Sequence, residues 1–374
     1  MKVVMIPSTS GGMGHVSRTV TLANALRRLD PAVEIEFVFD AERLRPFNID
    51  ALLKLGYRPR LMPRRLPDSR GPIVRACLGD ADVIVDDVMR FLLPLRVHIP
   101  QAAWISIAMH PIGDELFMEW PHLAQMDGVI WPYPPAVGLP SGLEIVADKV
   151  ATTGPFLDLD DIPDRRTARA RLGIDAQEVR IVYAPRGFPF GKDFGHAMVS
   201  GIYAAAERLR REHNLPLRLV FLAVADPSDL RDVEGFPTVP PPWVSVLGLQ
   251  TQTDALLQAR AADILVAEGT STIHEGAALG TPLVLVPGPI TEILLLTAAM
   301  KRQGAAQVID PETVGPESFA TAFSSILFDA TARRPALDRA RAMVAGGGGT
   351  KAAAEFVLNV GRRHRGSRSG EAAA

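Results

Sequence analysis

The chain of 374 residues is too long for one ordinary domain and suits two, and its 47% hydrophobic and 22% charged content is that of a soluble globular protein. A formal net charge of −2 argues against nucleic acid as a partner, because binding a phosphate backbone needs a basic excess. The single cysteine, Cys77, excludes a disulfide framework and a Cys-built zinc site, and no apolar run reaches the roughly 18 residues of a membrane span, so the expected compartment is the cytoplasm.

Lys2 to Pro7 reads as a strand, Ser8 to His15 (STSGGMGH) as a glycine-rich turn, Val16 to Leu29 as a helix and Val33 to Phe39 as a second strand. This is the opening of a doubly wound α/β domain, in which ligands bind at the carboxyl ends of the strands. The glycine spacing is not G-x-G-x-x-G, so no nicotinamide is expected, and neither a resident cofactor nor a metal is called for. Gly11, Gly12 and Gly14 permit close backbone approach, and His15 follows them at the helix start. A ring that titrates near neutrality suits proton abstraction there. The plainer alternative is a capping or packing histidine; three glycines in the first turn favour the functional one.

Arg58 to Arg75 reads as a loop with six arginines and four prolines. It is either a solvated connection or a docking surface for an anionic acceptor or phospholipid head groups, which would set the protein against the inner face of the membrane. Ala81 to Val85 is a strand ending in Asp86-Asp87; either aspartate orients His15 or caps the next segment. His110 is a weaker second site candidate. Val150 to Pro155 resumes a strand, and the polar segment 158–178 reads as the linker that closes a first domain of 1–157.

The alternation then restarts: strand 179–183, the turn PRGFPFG, helix 196–212, strand 217–223, strand 244–246 and helix 254–261. Ala262 to Pro287, AADILVAEGTSTIHEGAALGTPLVLVP, carries most information. Ile264 to Val266 is a buried strand, Gly269-Thr270-Ser271-Thr272 a small-residue turn into a helix, Gly280 its stop, and Leu283 to Val286 the next strand. Such a turn leaves backbone N–H groups unpaired at the positive end of a helix dipole, a site for a diphosphate. Glu275, one turn on, is placed to accept hydrogen bonds from ribose hydroxyls. Helices over 293–302, 316–327 and 351–362 follow. The domain of 179–350 ends in a flexible GGGG at 346–349, the segment 351–365 forms a helix returning to the first domain, and 366–374 is a disordered tail.

Three stretches resemble glycosyltransferase family 28, typified by the N-acetylglucosaminyltransferase that makes lipid II: GGMGHVSRTVTLANALRR at 11–28, TTGPFLD at 152–158, and the 262–287 segment continuing to Gly304-Ala305-Ala306. The resemblance spans most of the chain. It implies α/β architecture of the GT-B type, with two facing doubly wound Rossmann-like domains and an interdomain cleft. It further implies an inverting, metal-independent transfer from a nucleotide-sugar, UDP favoured over TDP, to the hydroxyl of a small-molecule or lipid-linked acceptor. The nucleotide-sugar is a co-substrate; a homodimer is compatible. His15 and Asp87 would be catalytic, with His15 the base or a support for the departing diphosphate. Gly12, Gly14, Arg186, Gly269, Thr270, Ser271 and Thr272 would hold the diphosphate, Glu275 the ribose, Thr251 and Gln252 the base, and Glu292 the donor sugar.

Two departures stand out. The family's D/E-Q-x-x-N-A pattern after the Val-Pro strand here reads Glu292-Ile293-x-x-Leu296-Thr297, keeping only the acid. Glu268 precedes Gly269, and a carboxylate beside a diphosphate is unfavourable unless it turns away or meets a cation. The His15 helix also resembles the hydrolases that release diacetamido sugars from UDP in nonulosonate biosynthesis, where the histidine activates water. A non-catalytic nucleotide-sugar-binding partner protein is a third reading.

Overall fold

The computed structural model describes residues 1–8, 14–42, 49, 52–53, 56–63, 70–87, 90–109, 123–185, 192–222, 230, 233–248, 250–288 and 290–371. The chain divides into two compact units, one of Met1–Asp158 with Ala345–Ala374 and one of Leu159–Val344.

The first unit contains β1 (Lys2–Pro7), α1 (Gly14–Leu29), β2 (Glu34–Asp40), β3 (Pro59–Met62), α2 (Gly71–Leu78), β4 (Val83–Asp87), β5 (Ala103–Ile107), β6 (Gly128–Trp131) and β7 (Val150–Thr152). These strands form one parallel sheet in the order β3-β2-β1-β4-β5-β6-β7. Successive side chains of a strand point to opposite faces, and β1 shows the consequence. Val3 and Met5 pack beneath α1, whereas Val4 and Ile6 join Trp104 and Trp131 on the other face. Both faces are thus covered, which is why the strands read as continuous apolar runs rather than alternating ones.

Arg58 to Arg75 is not one loop. Pro59–Met62 is edge strand β3 and Gly71–Leu78 is α2, while 64–69 lie outside the described residues. The prolines misled: Pro59 opens an edge strand and Pro72 sits in the first turn of a helix, the two places where a missing N–H costs nothing. Arg60 pairs with Glu36 at 2.8 Å.

The second unit contains α3 (Arg165–Arg171), β8 (Val179–Ala184), α4 (Lys192–Glu212), β9 (Leu217–Phe221), β10 (Val244–Val246), α5 (Gln252–Ala261), β11 (Ile264–Ala267), α6 (Thr270–Leu279), β12 (Leu283–Leu285), α7 (Thr291–Arg302), β13 (Gln307–Val308), α8 (Pro316–Phe328) and α9 (Ala330–Ala345). Its parallel sheet runs β10-β9-β8-β11-β12-β13. Phe319 and Phe323 on α8 are fully buried against the α4 side of this sheet, each burial contributing about 2–3 kcal/mol. The expected linker 158–178 holds α3, capped by the Asp164 side chain on the Thr167 N–H, and from Leu159 on it belongs to this unit. Helix α9 has no sequence-stretch signal of its own, being rich in Ala and Arg with Pro335 inside it.

The final helix, α10 (Gly349–Glu371), returns to the first unit and runs through the segment expected as a disordered tail as far as Glu371. Its Phe356 ring lies against Gly128 and its Gly361 against Val83 and Met1. The GGGG run is not a free hinge. It is a 3-10 turn, Gly346–Gly348, packed against the 153–155 segment, with the Gly349 N–H donating to the Thr153 carbonyl at 2.6 Å.

Gly154 marks how close this packing is. Its φ is +75°, and a Cβ there would meet the Gly346 carbonyl oxygen at 2.3 Å. Gly138 has a similar φ of +78° with nothing within 4 Å of the added atom. Gly138→Ala should therefore cost about 1 kcal/mol from backbone strain alone, and Gly154→Ala roughly 3 kcal/mol or more, because two backbones must separate. Equal losses in urea unfolding would mean the 154–346 contact is not tight.

Candidate active site

In the first unit the site is built where β1 and β4 end and α1 begins. Pro7 and Asp87 are register partners at the carboxyl ends of those strands, and Asp87 also pairs with Ile107 of β5. Asp87 is fully buried, so its charge needs compensation inside the fold. Arg18 of α1 supplies it, and His15, three residues before it and hence on the same face, stands beside the pair. Arg18 donates from Nε to Asp87 Oδ2 at 3.1 Å and from Nη2 to Asp87 Oδ1, a forked contact. His15 places Nδ1 3.2 Å from Asp87 Oδ2 and 3.0 Å from Arg18 Nη2. Burial opposes ionisation of Asp87, but Arg18 and then His15 outweigh it and hold the carboxyl below its usual range.

The expected pairing of His15 with Asp87 is present. Its companion Asp86 faces the other way, accepting from Ser106 Oγ at 3.2 Å. Arg18 was overlooked, although its place three residues after His15 was the signal. Gly14 is the first residue of α1; Gly12 and His110 lie outside the described residues.

In the second unit, β11 feeds α6 through Glu268 and Gly269. Gly269 is the N-cap, in extended backbone and with no side chain capping the helix. The first intrahelical bond goes from the Ile273 N–H to the Gly269 carbonyl, so the N–H groups of Thr270, Ser271 and Thr272 precede the helix ladder. A Cβ on Gly269 would meet nothing within 4 Å, so the space before the terminus is open. Ser271 is exposed and Thr270 and Thr272 are half-buried. The terminus is thus an accessible set of donors with the helix dipole behind it. At the other end Gly280 adopts a left-handed cap with φ +68°, ending α6.

Glu268, the residue expected to trouble an anion here, turns inward. The Tyr183 hydroxyl donates to Glu268 Oε1, and burial followed by the Glu268 charge pushes the Tyr183 hydroxyl well above its usual range, so the proton stays on Tyr183. Glu275 lies on α6; burial pushes its carboxyl up to about 7, opposed by the Gln252 side chain. Two residues expected at separate parts of a nucleotide, the ribose and the base, therefore lie near each other. Thr251 caps α5, its hydroxyl accepting from the Asp254 N–H at 3.1 Å and donating to Asp254 Oδ2 at 2.7 Å.

Glu292 is buried in the first turn of α7, where the helix dipole favours a carboxylate. The positions that depart from the amide pattern face inward: Ile293 and Leu296 are core residues, and Thr297 donates to the Ile293 carbonyl of its own helix at 2.7 Å. Arg186 lies outside the described residues.

The Glu275 carboxyl fixes a pH dependence. Its folded value, about 7, lies above the ordinary 4.5, so its contribution to stability is full below the lower value and is lost as pH rises through the upper one. Glu275→Gln should gain stability over the native protein progressively between about pH 4.5 and pH 7 and hold that gain above, by urea unfolding at each pH. A pH-independent difference would show that the carboxyl ionises freely in the folded state.

No protein-family model matches the chain. Two curated relatives do, both named UDP-N-acetylglucosamine–N-acetylmuramyl-(pentapeptide) pyrophosphoryl-undecaprenol N-acetylglucosamine transferase. That of Mycolicibacterium paratuberculosis (strain ATCC BAA-968 / K-10) is 25% identical over 388 residues, covering 97% of this chain and 90% of that protein. That of Mycobacterium avium (strain 104) is 25% identical over 391 residues, covering 98% and 91%. Among solved structures, the spinosyn forosaminyltransferase aligns with a TM-score of 0.68 at 15% identity, covering 97% of this chain and 99% of that one. The glycotransferase of kitacinnamycin aligns with 0.65 at 18%, covering 96% and 98%. A putative UDP-N-acetylglucosamine 2-epimerase of Listeria monocytogenes aligns with 0.61 at 12%, covering 96% and 94%. The fold is therefore shared by transferases and by a protein described as an epimerase, and fold alone does not choose between them. In architecture the chain is a GT-B protein, and in sequence it resembles the N-acetylglucosamine transferases of those two mycobacteria over nearly its whole length.

Proposed function

We propose that the chain is a glycosyltransferase that moves a sugar from a UDP-sugar to an acceptor hydroxyl with inversion and without a metal. The near-full-length likeness to two UDP-N-acetylglucosamine-dependent transferases carries this reading, because it spans both the His15 turn and the Thr270–Glu275 helix. The relatives' acceptor is a lipid-linked pyrophosphate, and an acceptor of that class suits this chain. No helix among the described residues is long and apolar enough to cross a membrane, so such an acceptor would be met from the membrane surface, where the exposed Arg58 and Arg75 are available to it.

The residues divide the chemistry. The acceptor oxygen bonds to the anomeric carbon as the bond from that carbon to the diphosphate oxygen breaks. His15 takes the acceptor's proton, with Asp87 as the counter-charge to the imidazolium. The electron pair leaves with UDP, whose new negative charge falls to the first N–H groups of α6 and the hydroxyls of Thr270, Ser271 and Thr272. Glu275, with Gln252 beside it, accepts from the ribose hydroxyls. Because its carboxyl is pushed up to about 7, nucleotide binding strengthens as pH rises and Glu275 ionises. The inward turn of Glu268 onto Tyr183 keeps its charge from the diphosphate. Glu292 serves the donor sugar.

His15→Ala should lower turnover at least about a hundredfold with UDP affinity retained, the scale of losing a general base, while Glu275→Ala should weaken UDP binding. Thermal stabilisation by UDP, TDP, GDP, ADP and UDP-sugars, with product analysis by mass spectrometry, checks the reading. Free sugar released in water alone at the rate of transfer would favour the hydrolase, and no stabilisation by any nucleotide would sink the assignment of Gly269 to Glu275. Full turnover in His15→Ala would remove His15 as the base, and nucleotide stabilisation with no turnover by the native protein would support a binding partner without catalysis of its own.

A further inference from the structure

The contacts around His15 carry an assignment beyond its role as a base. A guanidinium has donors and no acceptor. Arg18 Nη2 has two hydrogens: one goes to Asp87 Oδ1, and the other has His15 Nδ1 3.0 Å away. That second contact is a hydrogen bond only when Nδ1 is bare. The approach of Nδ1 to Asp87 Oδ2, 3.2 Å, is a hydrogen bond only when Nδ1 carries the proton. The two bonds exclude one another, and in the neutral imidazole each dictates the state of the ring's far nitrogen.

From this juxtaposition we infer that Arg18 is a positioning residue that sets the tautomer of His15. In the resting protein Arg18 donates to Nδ1, so the imidazole carries its proton on Nε2 and meets the substrates as a donor. To act as a base it must first move that proton to Nδ1, where Asp87 Oδ2 accepts it and Arg18 keeps only its fork on the carboxylate. Three features support the assignment. The Arg18–His15 contact is the shorter of the two. Asp87 already accepts two bonds from Arg18, Nε at 3.1 Å on Oδ2 and Nη2 on Oδ1, so its charge is compensated first by Arg18 and only then by His15. Asp87 is also fully buried while Arg18 and His15 are each less than one-fifth exposed, so neither contact is diluted by water. Among the described residues, Arg18, Asp87 and His15 are the charged or titratable groups in direct contact at this point. The inference deepens the role proposed for His15, but testing it requires no turnover.

The test is nitrogen-15 NMR of the His15 ring in the intact, ligand-free protein above the histidine titration, with the signal assigned by its loss in His15→Gln. The native protein should show the Nε2–H tautomer. Arg18→Met should shift the tautomer ratio toward Nδ1–H by roughly tenfold or more, the scale of one charge-assisted hydrogen bond, as Asp87 becomes the partner of Nδ1. An Nδ1–H ring in the native protein overturns the assignment, as does an unchanged ratio in a folded Arg18→Met. If that variant does not fold, the native spectrum decides alone. A native Nε2–H ring together with full turnover in His15→Ala would uphold Arg18's role while rejecting catalysis by His15, so the two ideas fail separately.

Discussion

A fully buried carboxylate governs the first unit. Asp87 ends β4 in the middle of a parallel sheet, at 0% exposure, where an unpaired charge would cost several kcal/mol. The fold meets that demand from α1, which begins at Gly14 and so puts position 15 and position 18 over the strand end. An arginine at the second position satisfies both carboxylate oxygens, and a histidine at the first is then held by what remains of the pair. Placement of His15 and charge compensation are one arrangement here: a shift of α1 by a single residue would turn both side chains away and leave the carboxylate alone.

The second unit solves the opposite problem. The start of α6 presents unpaired N–H groups at the positive end of a helix dipole, yet the residue before its cap is a glutamate. Tyr183, on the neighbouring strand β8, draws that carboxylate inward. Since the tyrosine keeps its proton, the bond is donor to acceptor rather than charge against charge. The same helix carries Glu275, whose neighbour Gln252 comes from the start of α5. Strand, helix terminus and the two polar pairs thus form one assembly, in which each carboxylate near the terminus has a neutral donor side chain beside it.

Much of this was legible in the chain. The turn GGMGH followed by an apolar period gave α1 and His15, and ADILVAEGTST gave β11 and the start of α6, because small residues between a β-branched run and a helical run have few other uses. What sequence did not yield were contacts between distant elements. Arg18 is one of the arginines in the 11–28 stretch that carries the resemblances, and nothing in that stretch points to Asp87, 69 residues on, as its partner. Gln252 was read for its own position and not as the neighbour of a carboxyl 23 residues away. Local composition also misled where proline and glycine were dense. Pro59 and Pro72 open a strand and a helix, and GGGG is a crossing of two backbones so close that side chains cannot fit. Flexibility and tight packing draw on the same residue, and only the neighbours tell them apart.

That crossing has a consequence for how the protein is made. The second unit is a continuous insertion, residues 159–344, in a first unit that resumes only afterwards. Ala353, Val357 and Leu358 of α10 belong to the same core cluster as Val3, Val20 and Phe37. A ribosome adding about 5–20 residues per second reaches them on the order of ten to forty seconds after residue 158. By the end of that interval the second unit has all its strands and helices, while the first, although begun earlier, still lacks the helix that helps cover one face of its sheet. The domain that starts the chain is therefore the one that finishes folding last, and its uncovered apolar face is the one a chaperone would meet.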